Sequence, residues 1–227
     1  MISFESDLKP SNSLISKFIS AHGDTIRDIA FEVDDCQKIY DNAIRRGAKS
    51  ISPPTKVEDE NGYVITSSIL GFGDTVHTLV ERVTFSLLKN NYNGLFLPGF
   101  RAHYLKEPIN EFFNDINIIK IDHVGIPQPM KHMKPVTEHY FKVFDFHHFW
   151  SVDEKIIASQ DSSLRTTVVS DFDEKVKMPV FEPAPGQKIS QIQVLSYYSR
   201  SLSNSMEVLE LNTWLCSLKT SSTQYRL

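Results

Sequence analysis

The chain has 227 residues, of which 41% are hydrophobic, so it is long enough to bury one large core or two small ones. Its 28 acidic residues outnumber its 24 Lys and Arg residues, and the net charge of -4 argues against binding to nucleic acid. Cys36 and Cys216 lie too far apart for a CxxC zinc motif or a disulfide framework, and no stretch approaches the ~20 apolar residues that span a bilayer. We therefore expect a soluble, cytoplasmic protein with neither nucleic acid nor a membrane as partner.

The first predicted elements are a strand and a helix. Residues 28–33 alternate between apolar and polar side chains, with the two-residue period of a half-buried strand. Asp35 is a suitable helix cap, and residues 36–46 carry apolar side chains at helical spacing. Gly47 stands where helices commonly end. This pattern predicts a strand followed by an amphipathic helix.

Three further strands follow this helix. Beyond two prolines lie residues 57–60, the turn pair Asn61-Gly62 and residues 63–70, an arrangement that predicts a β-hairpin. Residues 76–83 form another apolar run. The predicted order of this first unit is therefore βαβββ.

A second unit begins after an irregular connection. Residues 84–117 contain several Asn, Gly and Pro turn signals. Residues 118–126 predict a strand, residues 135–144 a helix, and residues 146–152 an extended segment, so the order of elements begins to repeat. Residues 194–227 are rich in serine and lack a clear period, and we expect a flexible tail there.

The openings of the two units also resemble each other. Residues 27–31 correspond to residues 122–126, and Asp28 stands in the first unit where His123 stands in the second. One βαβββ unit cannot close a sheet alone, and two such units normally pair into a cupped sheet with a pocket on its concave face. The repeat therefore predicts a barrel-like sheet with a binding site.

Eight histidines are present, and no local spacing among them defines a metal site. They are His22, His77, His103, His123, His132, His139, His147 and His148. His123 stands out because it interrupts an apolar strand, where one face of a cupped sheet points into the cavity. From the residues alone, His123 is either a metal ligand or a core histidine bonded to backbone.

A series of short segments, in chain order, resembles the family of 4-hydroxyphenylpyruvate dioxygenases. The segments are residues 22–24 (HGD), 28–33 (DIAFEV), 46–48 (RGA), 73–81 (GDTVHTLVE), 96–100 (FLPGF), 121–123 (IDH), 149–153 (FWSVD), 162–165 (SSLR), 177–179 (KMP), 182–186 (EPAPG) and 190–193 (SQIQ). The resemblance covers roughly residues 22–193. Such a collinear series is far more specific than any single motif.

The resemblance implies an α+β fold of the vicinal oxygen chelate type, built from βαβββ modules in two incomplete domains. Residues 1–83 would be the second module of the N-terminal domain, and residues 84–117 the connection between domains. Residues 118–193 would be the incomplete front module of the catalytic domain, followed by a divergent tail in residues 194–227. The chain is expected to be truncated at both ends relative to the family.

The family's chemistry is implied in the same way. Its members hold Fe(II) with two histidines and one glutamate, leaving positions open for a 2-oxo acid and O2. They convert 4-hydroxyphenylpyruvate into homogentisate and CO2 in tyrosine and phenylalanine catabolism. His123 matches the first metal ligand, whereas the second and third ligands have no counterpart in this sequence. We expect weak Fe(II) binding, no independently catalytic residue, and a chain that is inactive alone.

On the substrate side, the resemblance assigns two residues and reveals one departure. Gln191 matches a glutamine that contacts the polar end of the aromatic substrate. Thr166 stands where the family usually has a serine near the substrate and keeps its hydroxyl. Phe181 replaces an asparagine, which changes both hydrogen bonding and volume and leaves the substrate less certain than the family.

Two alternatives stay open at this level. One is a non-catalytic binding or oligomerisation module, since missing modules would leave sheet edges and apolar surface for a second copy of the chain. The other is a sibling similar to 4-hydroxymandelate synthase, which uses the same substrate and metal but hydroxylates the side chain.

Overall fold

The computed structural model describes residues 3, 5–7, 12–82, 92–102, 118–152, 163–184 and 215–220. The helices in these ranges are α1 (Leu14–His22), α2 (Cys36–Arg45) and α3 (Met133–Phe144). The strands are β1 (Phe31–Glu32), β2 (Ser50–Asp59), β3 (Gly62–Leu70), β4 (Val76–Glu81), β5 (Ile118–Pro127), β6 (His147–Val152), β7 (Ser163–Ser170), β8 (Lys177–Ala184) and β9 (Leu215–Thr220). Within the described ranges, no helix is long and apolar enough to cross a membrane.

The first sheet has the strand order β1-β4-β3-β2. β2 and β3 form the predicted hairpin, and Gly62 in its turn takes a φ of 119°, a conformation that favours glycine. β2 begins earlier than predicted and runs through Pro53 and Pro54. The two prolines are tolerated because β2 lies at the edge of the sheet, where an N–H group has no obligatory partner on the outer side.

Helix α2 lies where the sequence predicts a helix, and its cap is the predicted one. The Asp35 carboxylate accepts a hydrogen bond of 2.8 Å from the backbone N–H of Lys38. Helix α1 was not predicted. Its cap is Ser13, whose hydroxyl accepts from the Ser16 N–H at 3.0 Å.

The second sheet has the order β6-β7-β8-β5-β9. From β5 outward, β5-β8-β7-β6 repeats the β1-β4-β3-β2 order of the first sheet, which confirms the predicted repeat of βαβββ units. In both βαβββ units the first strand runs parallel to the fourth, with Phe31 of β1 opposite Leu79 of β4 and Ile126 of β5 opposite Val180 of β8. Asp28 and His123 each lie three residues before these paired positions and are therefore structural equivalents.

Strand β9 corrects the expectation for residues 194–227. We expected a flexible tail without a strand, but residues 215–220 pair antiparallel with β5, from Ile118 opposite Thr220 to Gly125 opposite Leu215. The physical reason is the outer edge of β5, whose N–H and C=O groups need partners once β8 occupies the other side.

Helix α3 joins the two units. Tyr140 is fully buried against Val180 and its neighbours in the second sheet, and its hydroxyl lies 2.9 Å from Nε2 of His77 in β4. Val143 of the same helix packs on Ile69 of the first sheet. The helix therefore supports the second sheet from behind and docks it on the first unit.

Candidate functional site

A cleft of about 270 Å³ opens on the second sheet. Strand β5 contributes His123, β6 contributes Phe149 and Trp150, β7 contributes Leu164, Thr166 and Val168, and β8 contributes Lys177, Pro179 and Phe181. The alternation of side chains along a strand gives the sheet two different faces. Val169 and Val180 point to the core beside α3, whereas Thr166, Val168 and Phe181 point into the cleft.

His123 is the candidate metal ligand, and the structure places it in this cleft. Its Nδ1 lies 3.0 Å from an Asp122 carboxylate oxygen. If Nδ1–H donates to that carboxylate, Nε2 carries the lone pair and is the nitrogen that can accept a proton or bind a metal. The neighbouring carboxylate also orients the ring, as second partners of metal-binding histidines commonly do.

Thr166, a predicted substrate-binding residue, also lines the cleft. It is only 4% exposed, and its Oγ1 has no hydrogen-bond partner among the described residues. A buried hydroxyl without a partner costs free energy, so a ligand that supplied one would be favoured there. Gln191, the second predicted substrate-binding residue, lies outside the described residues.

Phe181, where the sequence departs from the family, lies against β5. A Cβ atom added at Gly125 would be 2.3 Å from Cε2 of the Phe181 ring, far inside contact distance. The ring therefore extends over the backbone of β5 at Gly125, two residues beyond His123. On the opposite edge of β8, where β7 lies, Phe181 is paired with Thr166.

Sequence reasoning missed Lys177 as a lining residue. It is the one Lys or Arg among the described residues that line the cleft, and its Nζ lies 4.8 Å from the centre of the Phe149 ring. Like His123, it lies three residues before the parallel-paired position on its strand. The two-residue alternation of Lys177, Pro179 and Phe181 could have indicated a shared face, but nothing local indicates that this face lines a cleft.

The first sheet does not repeat this arrangement at Asp28. Both oxygens of its carboxylate accept hydrogen bonds from Thr78, at 3.1 Å from the backbone N–H and 2.6 Å from the hydroxyl. Burial raises the pKa of Asp28. At the position equivalent to His123, the first unit therefore holds a structural hydrogen-bond pair between the segment before β1 and strand β4.

Comparisons with known proteins agree with this architecture. No model of a protein family matches the chain. The 4-hydroxyphenylpyruvate dioxygenase of Tetrahymena thermophila is 45% identical over 174 residues, which are 77% of this chain and 41% of that protein. The enzyme of the same name from Dictyostelium discoideum is 42% identical over 194 residues, covering 85% of this chain and 51% of its own.

Two solved structures share the fold. A mutant 4-hydroxymandelate synthase from Streptomyces coelicolor superposes with a TM-score of 0.57 at 23% identity, covering 82% of this chain and 49% of its own. A fusion of a xylose isomerase-like TIM barrel with a 4-hydroxyphenylpyruvate dioxygenase gives a TM-score of 0.51 at 12% identity, covering 92% of this chain and 27% of its own. At these identities the likeness concerns the fold alone.

The repeated βαβββ units and these neighbours define an α+β protein in the class of the vicinal oxygen chelate fold. Within that class the chain belongs to the 4-hydroxyphenylpyruvate dioxygenase family. It spans about half the length of the curated relatives it matches.

The residues present fit an iron site only in part. A facial triad requires three side-chain ligands, and of the His, Cys, Asp and Glu side chains in the described ranges no three gather where they could hold a metal ion. His123 supplies one imidazole of suitable chemistry, and the sequence contains no histidine beyond His148. Within the described residues, His123 is therefore one candidate ligand, whereas a facial triad needs three.

Proposed function

We propose that the chain is the part of an Fe(II)-dependent dioxygenase that carries the first metal-binding histidine, His123, and one wall of the substrate pocket. The substrates of the whole protein would be O2 and a 2-oxo acid with an aromatic ring, and 4-hydroxyphenylpyruvate is the acid in its relatives' names. The proposal includes homogentisate and CO2 as products, in cytoplasmic tyrosine and phenylalanine catabolism. The cleft at His123, in a chain 45% identical to such an enzyme, is the observation that carries it.

The lining side chains suit an aromatic 2-oxo acid. Lys177 attracts the carboxylate, and the ring of Trp150 offers an apolar face to the aromatic ring. The unpartnered Thr166 hydroxyl favours a ligand that brings a polar group. The assignment of Gln191 to the polar end of the substrate stays a prediction.

One imidazole does not fix the geometry of a metal ion or exclude other ligands from it. We therefore propose that this chain alone binds Fe(II) weakly and does not turn over, although it retains the acid-binding side of the cleft. The division into residues 1–83, 84–117, 118–193 and 194–227 and the self-association of the chain also stay predictions.

Replacing Lys177 tests the acid-binding side. Lys177→Ala is expected to weaken binding of 4-hydroxyphenylpyruvate to the metal-free chain about fivefold, because it removes a partly buried charge-assisted contact. Ligand-observed NMR titration measures such weak binding directly. Lys175→Ala is the matched control, since Lys175 lies in the exposed turn before β8 and pairs with Asp173 at 2.9 Å. Equal losses in both variants, or no binding to the unchanged chain, would contradict the proposal.

A further inference from the structure

We infer that the outer edge of β5 is an interaction surface for an extended strand, that β9 covers this edge within the same chain, and that a second copy of the chain binds there once β9 is released. The inference goes beyond the proposed function and does not depend on it. It rests on the features of the edge strands, on the irregular pairing of β9, and on the length of chain that leads to β9.

The edges of the first sheet carry features that discourage pairing with another chain. β2 lies at one edge and contains Pro53 and Pro54, which have no N–H group to donate to a ladder. β1 lies at the other edge and is only two residues long. Both edges are therefore poor templates for an added strand.

The outer edge of β5 is a better template. β5 is 10 residues long, and its one proline is Pro127, at its end. Without β9 it would be the longest edge strand free of an internal proline among the strands that the structure describes. A long edge of this kind pairs readily with another chain. β9 removes the template by pairing with β5 from Ile118 to Gly125.

The pairing of β9 is less regular than the pairing inside the sheet. β7 and β8 keep one register from Ser163 to Ser170, whereas the register between β5 and β9 shifts twice, once on either side of residues 120–121. Each shift interrupts the ladder of backbone hydrogen bonds. In addition, β9 has β5 as its one neighbour in the sheet order. We therefore expect β9 to be released more easily than a strand within the sheet.

The covering strand and the edge belong to one chain, which decides which pairing prevails. Residues 185–214 join β8 to β9, and a connection of this length gives β9 an effective concentration of about 1 mM at the edge. A second copy at micromolar concentration competes poorly with it, so the unchanged chain is expected to be a monomer. Once β9 is released, two copies can pair their β5 strands antiparallel about a twofold axis. The self-association predicted from the sequence is thereby narrowed to one edge.

Two adjacent prolines in β9 test the cover. Cys216→Pro with Ser217→Pro removes an N–H group that faces β5, because the N–H groups of adjacent residues in a strand point to opposite sides. Analytical ultracentrifugation is expected to show that this variant dimerises at least about tenfold more tightly than the unchanged chain. Ser203→Pro with Asn204→Pro is the matched control, since it makes the same change in the tail outside β9.

Hydrogen exchange identifies the surface that the second copy uses. The outward-facing amides of residues 118–125 are expected to be protected in the unchanged chain, to exchange faster in the dilute double-proline variant, and to be protected again in its dimer. A synthetic peptide with the sequence of residues 213–222 is expected to restore this protection and to dissociate the dimer, because it supplies the missing strand in trans.

A cross-link tests the same pairing without weakening β9. Lys120 and Lys219 are paired, so Lys120→Cys with Lys219→Cys, in a Cys216→Ser background, is expected to form a disulfide within one chain and to keep that chain monomeric. The inference would be overturned by an unchanged chain that already dimerises through β5, by a folded double-proline variant that stays monomeric, or by a dimer whose β5 amides still exchange freely. A cross-link that forms only between two chains would also overturn it.

Discussion

Acidification from pH 7 to pH 4 is expected to lower the free energy of unfolding by about 3 kcal/mol through His77 alone. The side chain is fully buried, and burial lowers the pKa of His77 from 6.5 to about 4, with a smaller contribution from the nearby His139. Above the ordinary pKa, folded and unfolded chains both hold a neutral imidazole, and the full stability is present. As the pH falls from there toward 4, the unfolded chain takes up a proton that the folded chain does not, so stability is lost throughout this window.

The surroundings of His77 show why the neutral form is preferred. Nδ1 lies 3.2 Å from the carbonyl oxygen of Ile29, which only accepts, so Nδ1 carries the proton. Nε2 then accepts from the Tyr140 hydroxyl at 2.9 Å. The ring also stacks on Phe31 with 4.9 Å between centroids. A second proton on Nε2 would require this buried arrangement to change.

Urea unfolding between pH 7 and pH 4 measures the effect. His77→Gln is expected to be less stable at pH 7 but to lose less stability on acidification, since one proton-linked group is gone. His132→Gln is the control, because it makes the same substitution at an exposed histidine at the start of α3. The same pH dependence in His77→Gln and in the unchanged chain would contradict the assignment.

Tyr140→Ala is expected to cost about 3–5 kcal/mol of stability, the usual range for truncating a buried aromatic side chain. Tyr140 is 0% exposed, and its ring lies 5.7 Å from the centre of the Phe144 ring and 6.0 Å from that of Phe146. Removing it leaves a cavity where α3 meets both units. Tyr140→Phe keeps the ring and loses only the hydrogen bond to His77, so about 1 kcal/mol is expected.

Chemical denaturation of the two variants separates ring packing from hydrogen bonding. Phe172→Ala is a suitable control, since it removes a ring that is 92% exposed and is expected to change stability very little. A Tyr140→Ala chain within 1 kcal/mol of the unchanged chain would show that α3 does not dock the second sheet on the first unit. Because α3 lies behind the floor of the cleft, a large loss is also expected to weaken acid binding.

Local signals predicted the parts of the fold that local interactions build. Asp35 was identifiable as a cap, and Asn61-Gly62 as a hairpin turn, because each acts on backbone groups a few residues away. The equivalence of Asp28 and His123 was readable from the repeat. Strand β9 was not predictable, because pairing with β5 satisfies an edge that is distant in sequence and the segment itself has no strand pattern.

Residues of the site could be predicted only where the sequence of a single strand, or its resemblance to the family, marked them. His123 could be singled out because it interrupts an apolar strand, and the resemblance identified Thr166 and the change at Phe181. The contact of Phe181 with Gly125 and the place of Lys177 in the cleft depend on the pairing of β5 with β8. His77 looked like any other histidine in sequence, because its burial depends on helix α3 from the second unit.

This chain has the fold of the family, and we propose that its cleft binds the acid while its described residues supply only one of the ligands that the family's metal needs. Anaerobic titration of the whole chain with Fe(II) in the presence of 4-hydroxyphenylpyruvate tests it most directly, by following the charge-transfer absorption between the metal and the keto acid. We predict no band at stoichiometric iron from a chain that circular dichroism shows to be folded. A band at one equivalent of iron that His123→Ala removes would contradict the account, because further ligands would then have to complete the site.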